Sequence, residues 1–239
     1  VRSADDWSRW GGVVIAVLAA VAALSLVMPR LLGVAAGPEV EIITALKATE
    51  KDGMELAIPG VGTPLRSKGH HFARITVNVE PGGKRAVAWA TLDFTGRLER
   101  TEVSSLGVER VPFVRRGREW MPEGLAAPRL AAVVRTLEAR RRALEAGEGK
   151  ALEALRAPDA RGDGGGGEEA AEVGKVLEVR RRRYRAEAWF LRLERDEAVA
   201  SETWRLEGDL PSRPVDERGQ RRLSLIRSGE EFLFSAGLM

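Results

Sequence analysis

Two stretches of this chain alternate apolar and polar residues with period two, and each is cut by glycine turns. Such alternation places one set of side chains on a buried face and the other in water, so it demands sheet with a covered side. In the first stretch Phe72, Ile75, Val77 and Val79 recur in FARITVNV, which ends at Pro81-Gly82-Gly83. Arg85 to Phe94, Arg97 to Leu106 and Glu109 to Arg115 follow as three more strands, and Gly117 makes a turn before Trp120. In the second stretch the strands are Tyr184 to Glu194, Ala198 to Glu207, Arg221 to Arg227 and Glu231 to Phe234. Tight turns between successive strands imply antiparallel meanders. The segment DLPSRPVDERG, Asp209 to Gly219, reads as a connection because a central strand excludes proline.

Helices separate the two sheet regions. Leu125 to Ala146 carries Leu130, Val133, Val134, Leu137 and Leu144 on one face, with Arg141 as the polar intruder. Pro128 suits its first turn and Gly147 its stop. Glu148 to Ala157 is a shorter helix closed by Pro158, Asp159 to Gly167 is a glycine-rich loop, and Glu168 to Val179 is a third helix. Before the first sheet, Val40, Ile42, Ile43 and Leu46 fit a short helix, and IPGVGTPLRSKG after them reads as a loop.

The two sheet regions end alike. RVPFVRRGREWM from Arg110 lies over RLSLIRSGEEFL from Arg222 without a gap: an apolar strand, an arginine, a turn glycine, a charged pair and a residue that packs back on the sheet. Helix, short helix, loop, helix and then long strands ending in that hairpin make an order that resembles the nuclear transport factor 2-like (cystatin-like) superfamily. The resemblance covers about half the chain. It implies a sheet curled round a long helix to form a cone, and it implies no single function, because the superfamily holds enzymes, ligand binders and scaffold domains.

Gly11 to Met28 is a different kind of segment: eighteen residues without a charge, Ser25 being the one polar side chain. A helix of that length spans about 27 Å, close to the ~30 Å of bilayer hydrocarbon. Trp7 and Trp10 flank it on one side and Arg30 on the other, as interfacial residues do. The reading is a single-pass anchor over residues 11–32. A cleaved leader is the competing reading, with Val34-Ala35-Ala36 as the cut, but the apolar run exceeds the ~7–15 residues of a leader core. Arg2 and Arg9 before the segment favour an N-terminus in the cytoplasm, with the remainder extracytoplasmic.

Composition narrows the chemistry. The chain lacks cysteine, which removes disulfides, thiolate metal sites and thiol nucleophiles together. Its 38 basic residues face 35 acidic ones, so the net charge of +3 argues against a nucleic-acid partner. The arginine runs Arg140 to Arg142 and Arg180 to Arg183 have acids beside them (Glu138, Glu145, Glu178, Glu187) and read as salt-bridged faces. His70 and His71 are neighbours on a strand, pointing to opposite faces, and do not make a chelating pair. Asp93 shares a strand face with Val87, Trp89 and Thr91 and reads as solvated. Asp196 and Asp209 read as turn caps, and Tyr184 is the single tyrosine. No catalytic, cofactor-binding or metal-ligating residue is assigned.

The expectation is an α+β chain of four parts: a tail at 1–10, a transmembrane helix at 11–32, and two tandem helix-plus-curled-antiparallel-sheet units at 38–122 and 123–239, the second NTF2-like. Its expected role is that of a non-catalytic, membrane-tethered, extracytoplasmic module of a bacterial inner membrane. The partner is the membrane itself through Gly11–Met28, with a protein, a small apolar ligand or a second copy of the chain on the folded part. The alternative is an isomerase- or lyase-type enzyme of the same superfamily.

Overall fold

A computed structural model describes residues 37–161 and 166–238. The segment Gly11–Met28 lies outside the described residues, and among those described no helix is long and apolar enough to cross a membrane. Glu41–Met239 forms one compact unit.

Helix α1 (Pro38–Asp52) buries Ile42 and Leu46, one turn apart, as its pattern predicts. Strand β1 (Glu55–Leu56) leads into a meander of β2 (Leu65–Val79), β3 (Arg85–Leu98), β4 (Thr101–Arg116) and β5 (Glu119–Pro122). Helix α2 (Pro128–Ala146), the short α3 (Gly149–Ala154), a 3-10 turn (Pro158–Arg161) and α4 (Gly166–Glu178) follow. The chain ends in β6 (Arg180–Leu193), β7 (Glu197–Leu210), β8 (Arg213–Ser228) and β9 (Glu231–Ala236). This is the expected α+β order, with helices separating two meanders.

All nine strands share one sheet, in the order β1-β2-β3-β4-β6-β7-β8-β9, with β5 branching from β4. Every neighbouring pair is antiparallel except β4 and β6, which run parallel from Glu102↔Ala188 to Gly107↔Leu193. That pairing joins the halves. Helix α2 packs on β4, β6 and β9. Strands β6 and β9 are three spacings apart, about 14 Å, which is wider than a helix of ~10–12 Å. Both can touch α2 only if the second half of the sheet curls round it. Register breaks at Ala73/Thr76 in β2 and Ala186/Ala188 in β6 supply bends of the kind that bulges introduce.

The echo between the halves extends well past one hairpin. Strands β7 and β8 have the bounds of β3 and β4 moved on by 112 residues (85 to 197, 101 to 213), and β9 starts where β5 does at the same shift (119 to 231). Registers repeat as well: Arg85↔Val114 becomes Glu197↔Ile226, and Leu98↔Thr101 becomes Leu210↔Arg213. Gly117 and Gly229 both take a φ of 65°, the left-handed turn that the shared hairpin requires.

Four expectations are corrected. The loop read over IPGVGTPLRSKG ends at Pro64, because Leu65 to Gly69 open β2, which pairs with β3 from Arg66↔Arg97 onward. Arg97–Leu106 and Glu109–Arg115 are not separate strands; the turn falls at Glu99-Arg100, and β4 runs unbroken through Gly107. The proline-rich Asp209–Gly219 is not a connection. Most of it is the start of β8, paired to β7 from Leu210↔Arg213 onward. Proline is tolerated there because β9 covers only the far end of β8, Ser224 to Ser228, which leaves Pro214 on an open edge. On α2 the buried arginines are Arg129 and Arg140, not Arg141, which lies partly exposed among Glu138 and Glu145.

The parallel join permits no side chain at Gly107. A Cβ there would run into the Leu193 carbonyl oxygen across the ladder, whereas one on Gly62 meets nothing. Gly107→Ala is expected to cost about 1–3 kcal/mol by overpacking and Gly62→Ala close to none, measured by urea unfolding of both variants.

Candidate functional site

Two places bring charged groups together: the interior between α2 and the second half of the sheet, and a groove on the outer side of α2.

The interior centres on Glu202 of β7. Period two carries it to the same face as Ala198 and Ala200, so a carboxylate enters the core with only 1% of its surface exposed. Four side chains converge on it. Arg140 Nη1 donates at 2.9 Å, Tyr184 Oη at 2.8 Å and Trp189 Nε1 at 3.1 Å, while Arg221 Nε lies at 3.5 Å. Arg140 is itself fully buried and sends Nε to the Leu238 carbonyl at 2.7 Å. The Tyr184 and Trp204 rings stack at 6.0 Å, and the Arg221 guanidinium sits 4.6 Å from the Trp204 ring. Desolvation opposes ionisation of Glu202, but Arg140 and the donors beside it hold the carboxyl below its ordinary range. Burial, reinforced by the Glu202 charge, pushes the Tyr184 hydroxyl up. An ionised carboxylate saturated with donors and a tyrosine that does not ionise make a clamp. They do not make an acid–base pair poised near neutrality.

A second buried carboxylate caps α2. Ala127 precedes the helix without a side-chain cap. Glu109 of β4 takes that place, accepting from the backbone N–H of Arg129 at 3.0 Å and of Leu130 at 2.7 Å. Burial pushes the Glu109 carboxyl up to about 7 in spite of those bonds.

The groove lies between α2, the segment after β1 and the ends of the two hairpins, with a volume of about 290 Å³. Arg110, Arg129, Arg135 and Arg227 line it, against Glu123 and Glu230, over an apolar floor that includes Leu125 and Phe232. Arg129 is 6% exposed and donates to the carbonyls of Val108, Glu194 and Arg195. Its Nε is buried with no hydrogen-bond partner among the described residues.

The residues singled out from sequence fall elsewhere. Asp93 is exposed on the outer face of β3, as its alternation predicts. His70 lies between Ser67 and Thr49, and His71 reaches Glu50 at 3.3 Å; both meet α1 instead of each other. Among the described residues no cluster has the makings of a metal site. Asp196 occupies the β6–β7 turn, but Asp209 sits inside β7 and pairs with Arg181 at 2.8 Å, so it is not a turn cap. Arg141, Arg142, Arg181 and Arg185 all carry ion pairs. Of those residues Tyr184 and Arg140 enter the interior, so Arg140 departs from the salt-bridged face expected for its run. Glu202 and Glu109 were missed, although the alternation that buries Ala200 and Val111 also carries them inward.

No family model matches the chain, and no curated protein matches it. Among solved structures, a candidate ketosteroid isomerase from Shewanella frigidimarina aligns at 14% identity over 44% of this chain and 90% of its own, with a TM-score of 0.35. An NTF2-like protein involved in plasmid conjugation aligns at 9% identity over 72% of this chain and 76% of its own, with a TM-score of 0.31. At those scores neither likeness bears on activity.

Opposite pH responses are expected from the two carboxylates. Glu109 holds its proton to about pH 7 when folded against about 4.5 when unfolded, so stability falls as pH rises through that window, by roughly 3 kcal/mol at most. Glu109→Gln should flatten that slope in a series of melting temperatures against pH. Glu202, depressed when folded, contributes stability above the unfolded carboxylate value and loses it as pH falls through its folded value. Glu202→Gln strands the Arg140 charge in the core and should cost about 3–5 kcal/mol by chemical unfolding at pH 7.

Proposed function

We propose that the folded part of this chain is a non-catalytic binding module, tethered by Gly11–Met28 to the inner membrane and facing away from the cytoplasm. The observation that carries the non-catalytic reading is the saturation of Glu202. A general base must be reachable by substrate and free to take a proton. Glu202 is 1% exposed, and three hydrogen bonds with a further arginine already occupy it. The tether and its direction rest on the uncharged eighteen-residue run and on Arg2 and Arg9 before it. Recognition then falls to the surface, and a protein partner suits an arginine-lined groove better than a small apolar ligand does.

One observation favours the enzymatic alternative: the 2.8 Å contact between Tyr184 and Glu202 inside the curl. An isomerase or lyase working there would admit a small phenol in place of its substrate. Titration with 2-naphthol should leave the Trp189 indole N–H resonance unmoved; a saturable shift abolished by Tyr184→Phe would establish the enzymatic reading instead.

The tether is tested separately. The 239-residue chain carrying a C-terminal alkaline phosphatase should sediment with membranes after a carbonate wash and show phosphatase activity in intact cells. Release by carbonate contradicts the anchor, and an inactive membrane-bound fusion contradicts the orientation.

A further inference from the structure

The arginine-lined groove continues along α2. A second groove of about 360 Å³ shares Pro59 and Arg135 with the first and runs past Ala139, Ala143 and Ala146. Together they follow one side of the helix from Pro128 to Ala146, eighteen residue steps and so about 27 Å. An extended polypeptide covers that distance in about eight residues. A compact ligand would fill only one end.

The two ends differ in charge. At the α2 N-terminus four arginines face two glutamates, and the glutamates do less than the count implies, because Glu123 lies 3.6 Å from Arg85 outside the groove. Arg135 is offset by Glu231 at 3.2 Å, and Arg227 lies 4.0 Å from Asp196. Arg110 has no ion pair among the described residues, and Arg129 spends its donors on backbone carbonyls. Its nearest carboxylate is Glu109, which is already engaged in capping α2 and neutral for part of the time near pH 7. At the other end Arg135 and Arg142 face Glu138 and Glu148 among small apolar groups. The net positive charge is thus confined to one end of a long track whose other end balances two arginines with two glutamates around small apolar side chains.

We propose that this track docks an extended segment of a partner protein, with acidic residues over Arg110, Arg129 and Arg227 and small apolar side chains over Ala139, Ala143 and Ala146. Guanidinium groups on a desolvating apolar floor bind carboxylates more strongly than exposed ones do. The proposal rests on the binding-module reading and supplies its partner chemistry.

The test uses the 239-residue chain in detergent with a fluorescein-labelled peptide of about ten residues, roughly four acidic and the rest Ala and Val, followed by anisotropy. Saturable binding is expected, weakening as salt screens the charge. Arg110→Ala and Arg227→Ala should each weaken it by about fivefold or more, while Arg181→Ala, on an arginine 85% exposed and paired to Asp209, should leave it unchanged. Circular dichroism establishes that each variant is folded. A peptide with the same acidic residues spread evenly along its length tests whether the charge must gather at one end.

No binding by the folded wild-type chain overturns the proposal. So does equal loss in all three variants, or equal binding of a peptide whose acidic residues are spread evenly along it. Preferential binding of phosphatidylglycerol vesicles or of duplex DNA, uncompeted by the peptide, overturns it in favour of a membrane or nucleic-acid surface. Each of these results leaves the binding-module reading standing if 2-naphthol still fails to move Trp189. A shift of Trp189 would sink that reading whatever the peptide does.

Discussion

Helix α2 is held to the sheet by charge as well as by apolar contact, and the geometry of the second half follows from that attachment. Arg140 at mid-helix reaches Glu202 on β7 and the Leu238 carbonyl near the chain end. Glu109 on β4 holds the first turn of the same helix. The two carboxylates fix the helix at two points against strands on either side of the parallel join. A buried charge that loses its partner is costly, whereas an apolar contact can slide. These pairs therefore set the position of α2, and the leucines and valines around them fill the remaining volume.

That arrangement distinguishes the two halves, although their strand registers repeat. At the shift of 112 residues Ala90 stands where Glu202 does, and Arg221 stands where Glu109 does. The face of the first meander that meets α1 is apolar, with Phe72, Leu92 and Phe94 all at 0% exposure. One scaffold geometry thus carries a mostly apolar core in the first half, where Glu109 is the one buried charged strand residue among those described, and a charged clamp in the second. We read the clamp as structural because the Glu202 carboxylate is fully occupied by its neighbours, although Arg140 Nη2 and Trp204 Nε1 are buried beside it without a hydrogen-bond partner among the described residues, and we place recognition outside it, along α2.

Much of the fold is legible in the sequence. Alternation locates both meanders, Pro128 and Gly147 bracket α2, and the turn glycines Gly117 and Gly229 mark the repeated hairpin. Strand ends are less legible. The β3–β4 turn at Glu99-Arg100 is tight and lacks the glycine or proline that marks a turn, with Glu99 itself at a φ of 52°. Pro214 misleads because edge and central strands look alike until their neighbours are known. The interior site is the least legible part. Burial of Glu202 depends on donors from α2, β6 and β8, which no spacing within β7 reveals. A helix pattern that accepts Arg140 or Arg141 equally cannot tell which one meets a carboxylate on a distant strand.

The central claim is that the curl is closed round Glu202 and open to no substrate. The Trp189 indole N–H, 1% exposed and bonded to Glu202 at 3.1 Å, reports on that most directly. A closed clamp predicts that it exchanges with D₂O only through global unfolding, as slowly as the best-protected backbone amides of β6 and β7. Exchange faster than those amides by several orders of magnitude under native conditions would show a solvent-filled cavity and contradict the account.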